Sequence, residues 1–343
     1  MGKITKITLK LKKTDFKKPF HVTNSISTVA NNIRVFTETD SGATGIGEAS
    51  PSFRVNGEVV DALISLENFL NELLVAEDTK SFRRCFLKTS KLIASPSIKA
   101  AVEFSIIDAL AKELGTTPHT IFGGAENSLE TDKTVSIEPI DERVSDAKEI
   151  FNEGFRIIKV KVGENIEEDI EAMLRIAKET KGAKYIVDAN MGYTPKDAVR
   201  FVKEMYKNGV DIAIFEQPVI YFDIEGLKFV RFNSPYPVAA DESIKTQMDA
   251  LNLVKNEAVD FFNIKLMKSG ISSALAIVEI AKSANIGLMI GAMAETSIGI
   301  NQSVHFALGV GGFKFFDLDT IFLLNEERFE GNFIVEKPIF KIA

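Results

Sequence analysis

The chain has 343 residues, 45% of them hydrophobic and 26% charged, which is typical of a globular protein with a large core. Its formal net charge is −7 and no dense Lys/Arg segment occurs, so we expect neither nucleic acid nor a membrane surface as a partner. Cys85 is the single cysteine, and the N-terminus shows no signal peptide, so we expect a cytoplasmic protein that acts on small molecules.

The first part of the chain is predicted to form an α+β unit. Alternating patterns predict strands over 3–12, 29–38 and 43–48, with a turn at Asp40-Ser41-Gly42, and together they indicate an antiparallel meander. From Val60 to Leu114 the apolar period becomes helical. Because Gly123-Gly124 ends this region, we expect the first domain to cover 1–124.

After Gly124, strand-like runs alternate regularly with amphipathic helices. The eight predicted strands cover 135–138, 156–161, 184–189, 211–216, 236–241, 261–265, 286–290 and 313–317. This repeat favours a closed parallel barrel over 125–320, and an open doubly wound sheet is the alternative. No helix follows the last strand. The apolar runs 321–324 and 333–340 predict strands, and we expect the segment 321–343 to return to the N-terminal unit.

An ionisable residue closes five consecutive strands of this repeat. These residues are Lys161, Asp188, Glu216, Asp241 and Lys265. Because the carboxyl ends of parallel strands open on one face of a barrel, we expect the five side chains to converge. Three carboxylates without Cys or His suit a hard cation such as Mg²⁺. Taken singly, each aspartate could cap a helix and each lysine could be solvated or ion-paired, but the joint pattern favours a site.

The segments around these residues resemble the muconate lactonizing enzyme subgroup of the enolase superfamily. They are Lys159-Val160-Lys161, Val187-Asp188-Ala189-Asn190, Phe215-Glu216-Gln217-Pro218, Ala240-Asp241-Glu242-Ser243 and Asn263-Ile264-Lys265, and the resemblance extends from Gly45-Ile46-Gly47-Glu48-Ala49 to Asp317. It implies a modified TIM barrel, (β/α)₇β, with an N-terminal α+β capping domain that the C-terminal segment completes.

The resemblance also implies roles for the residues at the strand ends. Asp188, Glu216 and Asp241 would hold one Mg²⁺ per subunit, while Lys161 and Lys265 would face opposite sides of a substrate carbon. Lys159 would help to neutralise an enolate. Members of the superfamily remove a proton α to a carboxylate, and two opposed amines permit inversion there. The region 285–296 lacks the histidine that acid-sugar dehydratases use.

The eighth strand indicates which substrate is bound. In Phe316-Asp317-Leu318-Asp319-Thr320 the two carboxylates lie on the same side of an extended segment and can clamp an ammonium group. This Asp-x-Asp pattern resembles dipeptide epimerases, although one aspartate could simply cap the end of the strand. Four further residues resemble that group's substrate-contacting positions, namely Thr134, Ser136, Met293 and Glu295.

The resemblance therefore predicts a Mg²⁺-dependent epimerase that transfers a proton at the C-terminal residue of a dipeptide. The alternatives are an N-acylamino acid racemase with o-succinylbenzoate synthase activity, a muconate-type cycloisomerase and a non-catalytic ligand-binding barrel. We also expect a homo-oligomer.

The second residue of the dipeptide is predicted from a departure from the family. Epimerases acting on Ala-Glu resemble this chain around Lys18-Pro19-Phe20 but carry an arginine a few residues later, where Ser25 stands here. A serine cannot neutralise a buried carboxylate. We therefore predict an apolar second side chain, contacted by Phe20, Ile26 and Phe53, with Arg54 as the cation that could reverse this preference.

Overall fold

The computed structural model describes residues 2–22, 25–92 and 94–343, without the side chains of Val22 and Ser25. The elements of the N-terminal part, called the cap below, are β1 (Ile4–Val22), β2 (Ser25–Thr39), β3 (Thr44–Ala49), α1 (Phe53–Asn56), α2 (Val60–Ile64), α3 (Glu67–Leu74), a 3₁₀ turn (Thr79–Ser81), α4 (Phe82–Thr89), α5 (Pro96–Glu113) and α6 (Pro118–Phe122). The strands form one antiparallel sheet with β2 between β1 and β3, so the predicted meander is confirmed.

Helix α5 packs very closely on β3. A Cβ atom added at Gly45 would lie 1.9 Å from the carbonyl oxygen of Ser105, and one added at Gly47 would lie 2.0 Å from that of Ala101. Only glycine permits this approach of backbone to backbone. Because α5 is buried on nearly all sides, it contributes both to the core of the cap and to the contact with the barrel.

The second part of the chain alternates strands with helices. Its elements are β4 (Ser128–Glu130), β5 (Lys133–Val135), α7 (Ile140–Asn152), β6 (Ile157–Lys161), α8 (Ile166–Glu179), β7 (Lys184–Asp188), α9 (Pro195–Lys207), β8 (Ile212–Glu216), α10 (Ile224–Asn233), β9 (Val238–Ala240), α11 (Gln247–Lys255), β10 (Phe261–Ile264), α12 (Leu266–Ser269), α13 (Ile271–Ala284), β11 (Gly287–Gly291), α14 (Ser297–Val310) and β12 (Phe313–Asp317).

Strands β5 to β12 are parallel and neighbour one another in chain order. At the seam between the first and the last strand, the backbone N–H of Asp132 donates to the carbonyl oxygen of Phe316 at 3.0 Å. The expected (β/α)₇β barrel with an α+β cap is therefore confirmed, and the alternative of an open sheet is wrong.

The inside of the barrel changes from apolar to polar along the strands. Ile186, Ile214, Ala239 and Met289 form a small buried cluster inside it. Side chains of a strand alternate between its two faces, so the residues two positions further along also point inward. On the first three of these strands those residues are Asp188, Glu216 and Asp241. The alternation thus places the charged residues directly above an apolar layer.

The chain ends with α15 (Thr320–Leu323), β13 (Phe333–Glu336) and β14 (Ile339–Ile342). The strand expected over 321–324 is wrong, because a short apolar run can form a helical turn as readily as a strand. Strand β14 pairs with β13 and with β4, next to the barrel. In the segment between α15 and β13, the backbone N–H of Asn325 donates to the carbonyl oxygen of Asp15 in the cap at 2.8 Å. Within the described residues, no helix is both long and apolar enough to cross a membrane.

Candidate active site

Three carboxylates meet at the carboxyl ends of neighbouring barrel strands. Asp188 ends β7, Glu216 ends β8 and Asp241 follows β9, and one oxygen of each lies within 4.8 Å of the others. All three side chains are buried. A set of buried oxygen donors with no sulfur or imidazole among them fits a hard divalent cation.

Lysines surround this carboxylate trio. Lys159 is fully buried, and its Nζ lies 3.1 Å from Asp188 Oδ2, 2.8 Å from Glu216 Oε2 and 2.7 Å from Asp317 Oδ2. Lys161 lies on one side, with Nζ 2.6 Å from Asp188 Oδ2. On the other side, Lys265 Nζ lies 2.9 Å from Asp241 Oδ2. The structure therefore brings together all six residues that the strand-end pattern and the resemblance named.

These charges shift one another's pKa values. Burial acts to raise the pKa of Asp188, but Lys161 and Lys159 outweigh it and hold that pKa below its ordinary value. The pKa of Asp241 is lowered in the same way, because Lys265 and Lys268 outweigh its burial. Burial disfavours the charged form of Lys265, yet the neighbouring carboxylates, Asp241 first among them, raise its pKa above the ordinary value. In this geometry both aspartates are anions held between cations.

Four residues that orient this cluster were not identified from the sequence. Asn190 donates from its backbone to Asp188 Oδ1 at 2.9 Å, and Asn263 donates from Nδ2 to Glu216 Oε1 at 2.6 Å. Gln217 Oε1 accepts from the backbone N–H of Asp241 at 2.9 Å, and Lys268 Nζ donates to Asp241 Oδ1. Asn190, Gln217 and Asn263 stand inside the segments that carry the resemblance, so their position beside the charged residues was a usable signal.

A second acidic cluster lies at the seam of the barrel. Asp132, Asp317 and Asp319 are buried with carboxylate oxygens within 4.8 Å of one another. Asp319 Oδ2 accepts from the backbone N–H of Thr134 at 2.7 Å. Burial and the charge of Asp317 raise the pKa of Asp319 to about 6, and burial with both neighbouring carboxylates raises the pKa of Asp132 well above its usual range. Asp132 was not predicted, because it precedes its strand and no motif includes it.

A cavity of about 240 Å³ opens above these clusters, between the barrel and the cap. The residues predicted for the site that line it are Lys161, Lys265, Thr134, Met293, Asp317, Asp319, Phe20 and Arg54. Phe16 and Val29 of the cap line it as well. One volume therefore contacts both lysines, both aspartates of the eighth strand and apolar side chains of the cap.

Other predicted residues lie elsewhere. Ser136 lines a neighbouring cavity rather than this one. Ile26 is 65% exposed and Phe53 is 77% exposed, and neither lines the cavity, because both face solvent, Ile26 from β2 and Phe53 from the start of α1. The side chain of Ser25 lies outside the described part of the chain. Glu295 is fully buried beside Met293, whose backbone N–H donates to Glu295 Oε1 at 2.9 Å, and burial raises the pKa of Glu295 to about 8.

The cap holds the loop that follows β11. Asn32 Nδ2 donates to the carbonyl oxygen of Ala294 at 3.0 Å and to Glu48 Oε1 at 2.9 Å. Glu48 Oε1 also accepts from the backbone N–H of Thr296 at 2.8 Å. Since Met293 and Ala294 line the cavity, these contacts couple the position of the cap to the shape of the cavity.

A capped (β/α)₇β barrel with three carboxylates between lysines at its mouth is the arrangement expected of the enolase superfamily. Comparison with known proteins supports the same family. Residues 142–342 match the family model described as enolase C-terminal domain-like. The L-Ala-D/L-Glu epimerase of Thermotoga maritima is 57% identical over 342 residues, which are 100% of this chain and 99% of that protein.

Two solved structures superpose over nearly the whole chain. A substrate-liganded complex of the L-Ala-D/L-Glu epimerase from Bacillus subtilis has a TM-score of 0.96 and 32% identity, covering 99% of this chain and 96% of that one. A dipeptide epimerase from Enterococcus faecalis V583, complexed with Mg and the dipeptide L-Leu-L-Tyr, has a TM-score of 0.93 and 31% identity, covering 99% and 97%. The chain belongs to the enolase C-terminal domain-like family, in the group that contains the dipeptide epimerases.

Proposed function

We propose that this protein is a Mg²⁺-dependent dipeptide epimerase that inverts the α-carbon of the C-terminal residue. The observation that carries the proposal is the placement of Lys161 and Lys265. Both line one cavity, from β6 and from the end of β10, with the carboxylate trio between their strands. Two amines that reach one bound carbon from different sides are what inversion by proton transfer requires.

Asp188, Glu216 and Asp241 would hold the Mg²⁺. When bound there, the ion supplies positive charge close to the substrate carboxylate, which favours loss of the neighbouring proton. The buried oxygen donors fit such an ion, and the relative from Enterococcus faecalis was solved with Mg and a dipeptide. Lys159 adds a fixed positive charge at the same place, since its Nζ contacts Asp188 and Glu216.

The two lysines would divide the proton transfer between them. Lys161 in its neutral form takes the α-proton of one epimer, so that the Cα–H bond breaks and an Nζ–H bond forms. Lys265 in its charged form returns a proton to the opposite face of the same carbon. The reverse reaction exchanges the two roles, and no proton is gained or lost overall.

The free amine of the dipeptide would bind to Asp317 and Asp319. Both aspartates line the cavity, and the backbone N–H of Thr134 orients Asp319. An N-acylamino acid racemase or a muconate-type cycloisomerase binds no free ammonium and needs no such pair. The acidic cluster at the seam therefore favours a dipeptide over these two alternatives.

For the second residue we propose an apolar or aromatic side chain. Phe16 and Phe20 stack in the cap with ring centroids 5.6 Å apart, and both line the cavity together with Val29. Burying such a side chain contributes roughly 1.5–3 kcal/mol. The complex of the Enterococcus faecalis relative contains L-Leu-L-Tyr, which has two side chains of this kind.

An acidic second residue is the competing candidate, and the presence of Arg54 at the cavity favours it. Arg54 lines the cavity, with Nη2 3.7 Å from Glu242 Oε1. The relative from Thermotoga maritima is an L-Ala-D/L-Glu epimerase. A comparison of kcat/KM for Ala-Phe, Ala-Leu and Ala-Glu separates the two: a preference for Ala-Glu that Arg54→Ala removes would overturn the apolar proposal.

The reaction itself is tested by proton NMR in D₂O with Mg²⁺ and a library of dipeptides, by following which α-protons exchange. We expect exchange and epimerisation at the second residue. Lys161→Ala and Lys265→Ala should each abolish epimerisation, while each variant still exchanges the α-proton of one epimer only. Equal exchange of both epimers in both variants would refute the division of roles, and the absence of any exchange would favour a ligand-binding barrel.

We also propose that the protein is a homo-oligomer located in the cytoplasm. Aromatic side chains lie exposed on and just before α10, with Phe229 at 45%, Phe232 at 62% and Phe222 at 66% exposure. Exposed aromatic groups of this size are typical of protein interfaces. Light scattering on the purified protein tests the oligomer, and a monomeric mass at micromolar concentration would refute it.

A further inference from the structure

A buried set of hydrogen bonds holds the backbone at the end of β6. Arg143 of α7 is 2% exposed, and its Nη2 donates to the carbonyl oxygen of Lys161 at 2.8 Å. The same guanidinium donates from Nη1 to Asp169 Oδ1 at 3.0 Å. The planar guanidinium of arginine can serve two acceptors at once in a fixed geometry, which an ammonium cannot reproduce.

Asp169 continues this set of bonds beyond Lys161. Its Oδ2 accepts from the backbone N–H of Gly163 at 2.8 Å and from the hydroxyl of Tyr193 at 2.7 Å. The backbone is thus anchored at Lys161 and again at Gly163, on both sides of Val162. In addition, the N–H of Val162 donates to the carbonyl oxygen of Asp188 at 2.9 Å.

The turn that follows Lys161 also packs tightly on the next loop. A Cβ atom added at Gly192 would lie 2.2 Å from the carbonyl oxygen of Gly163, so the two backbones are in direct contact. Tyr193 follows Gly192 and reaches back to Asp169. A displaced Asp169 would therefore release the turn at Gly163, and with it the strand end from which Lys161 projects.

Net stability is a poor explanation for this arrangement. A fully buried ion pair loses about as much by desolvation as it gains by attraction, and apolar side chains of similar volume are often equally stabilising. What the pair does provide is a fixed position for the backbone of one residue. Among the described residues, neither Arg143 nor Asp169 hydrogen-bonds to Lys265 or to its chain neighbours.

We propose that Arg143 and Asp169 are positioning residues for Lys161 and not for Lys265, so that they control proton transfer on one face of the substrate carbon. The inference rests on the proposed function, because it requires that Lys161 and Lys265 act on opposite faces. The inference predicts an effect on only one of the two epimers. Weakening the Arg143–Asp169 pair slows removal of the α-proton from the epimer that Lys161 serves and leaves the epimer that Lys265 serves nearly unchanged.

The test is α-proton exchange in D₂O, measured separately on the two epimers of one dipeptide with Mg²⁺ present. Lys161→Ala and Lys265→Ala first establish which epimer depends on which lysine. Arg143→Lys keeps a cation beside Asp169 but cannot also bind the Lys161 carbonyl. Because a displacement of about 1 Å can cost about 100-fold in rate, we expect it to slow exchange of the Lys161-dependent epimer about 10- to 100-fold.

The matched control is Arg156→Lys, at the opposite end of the same strand. Arg156 Nη1 donates to the carbonyl oxygens of Phe151 and Phe155, each at 2.9 Å, away from the mouth of the barrel. This variant should leave both exchange rates within about threefold, since it breaks no contact with Lys161. If Arg143→Lys does not fold, Tyr193→Phe removes one bond to Asp169 and should shift the ratio of the two rates in the same direction.

The outcomes separate the two hypotheses. If the lysine variants each retain one epimer but Arg143→Lys or Tyr193→Phe slows both epimers equally or neither, the positioning role is overturned and the proposed function stands. If the lysine variants exchange both epimers equally, the proposed division of roles between the lysines fails and the positioning role fails with it, and if the wild-type protein exchanges neither epimer, the proposed function itself fails. A selective loss at the Lys161-dependent epimer supports both.

Discussion

Replacing Asp317 by asparagine tests the binding of a free ammonium most directly. The variant keeps the shape of the side chain and removes one negative charge from the acidic cluster at the seam. Asp317 Oδ2 accepts from Lys159 Nζ at 2.7 Å, and the residue lines the cavity next to Asp319. Its charge can thus act on a bound amine and on Lys159, and the experiment has to distinguish these effects.

The expected size follows from one charge-assisted hydrogen bond. Such a bond contributes about 1.5–3 kcal/mol, which corresponds to about a 10- to 150-fold lower kcat/KM for a dipeptide. A matched substrate that lacks the amine, propionyl-phenylalanine in place of Ala-Phe, cannot form the bond. We therefore expect the wild-type preference for Ala-Phe over this analogue to shrink by the same factor in Asp317→Asn.

The assay is circular dichroism of the epimerisation with both substrates at saturating Mg²⁺. Asp319→Asn is the companion variant, because Asp319 Oδ2 is also held by the backbone of Thr134 and its loss should affect orientation as well as charge. Equal losses on Ala-Phe and on the analogue would show that Asp317 acts only through Lys159. N-acetylated amino acids that react faster than dipeptides would show that the racemase alternative is right.

Three further predictions follow from the site and the core. Treatment with EDTA should abolish α-proton exchange and added Mg²⁺ should restore it, so activity that survives the chelator would contradict the metal site. The Asp241→Asn variant should bind Mg²⁺ more weakly in calorimetry. Burial raises the pKa of Glu48 to about 7 and that of Glu295 to about 8. The folded state therefore binds more protons than the unfolded chain between about pH 4.5 and about pH 8, so the free energy of unfolding should fall as the pH rises through this range. Glu295→Gln should flatten the dependence of Tm on pH, and an unchanged slope would contradict this assignment. Gly47→Ala should destabilise the cap by about 1–3 kcal/mol in urea unfolding, because its Cβ would overlap the carbonyl of Ala101, whereas a wild-type midpoint would show that α5 can shift.

The sequence predicted the barrel well because its signal repeats. Eight strand-like runs alternate with helices, and five consecutive runs are closed by an ionisable residue, so an error at a single element leaves the repeat recognisable. The prediction over 184–189 differs from the observed β7 (Lys184–Asp188) by one residue. The C-terminal segment has no repeat, and there the run 321–324 predicts a strand although residues 320–323 form a helical turn.

The cluster of charges could be predicted for the same reason, but its supports could not. Strand spacing identifies the residues that point into the barrel, whereas Arg143 reaches Lys161 from the first turn of a helix outside it. Such a contact depends on the direction of one long side chain, which the spacing of apolar residues does not predict. The cap is harder still, since both residues are phenylalanines, yet Phe20 on β1 lines the cavity while Phe53 at the start of α1 faces solvent.

The barrel and the cap would also contribute differently to the proposed reaction. Under the proposed function, the barrel would supply the lysines and the metal ligands from strand ends, which hydrogen bonds between neighbouring strands hold in register, as Lys161 with Asp188 and Asp188 with Glu216. Under the same proposal, the cap would supply the side chains near the second residue from β1 and β2, which belong to a separate sheet. Substitutions in the cap can therefore change the preferred dipeptide without moving the lysines. Two relatives with closely similar folds, one an L-Ala-D/L-Glu epimerase and the other solved with L-Leu-L-Tyr, are consistent with this separation. Exchanging 16–32 of this chain for the matching segment of either relative should transfer the preference for the second residue while both α-proton exchange reactions persist.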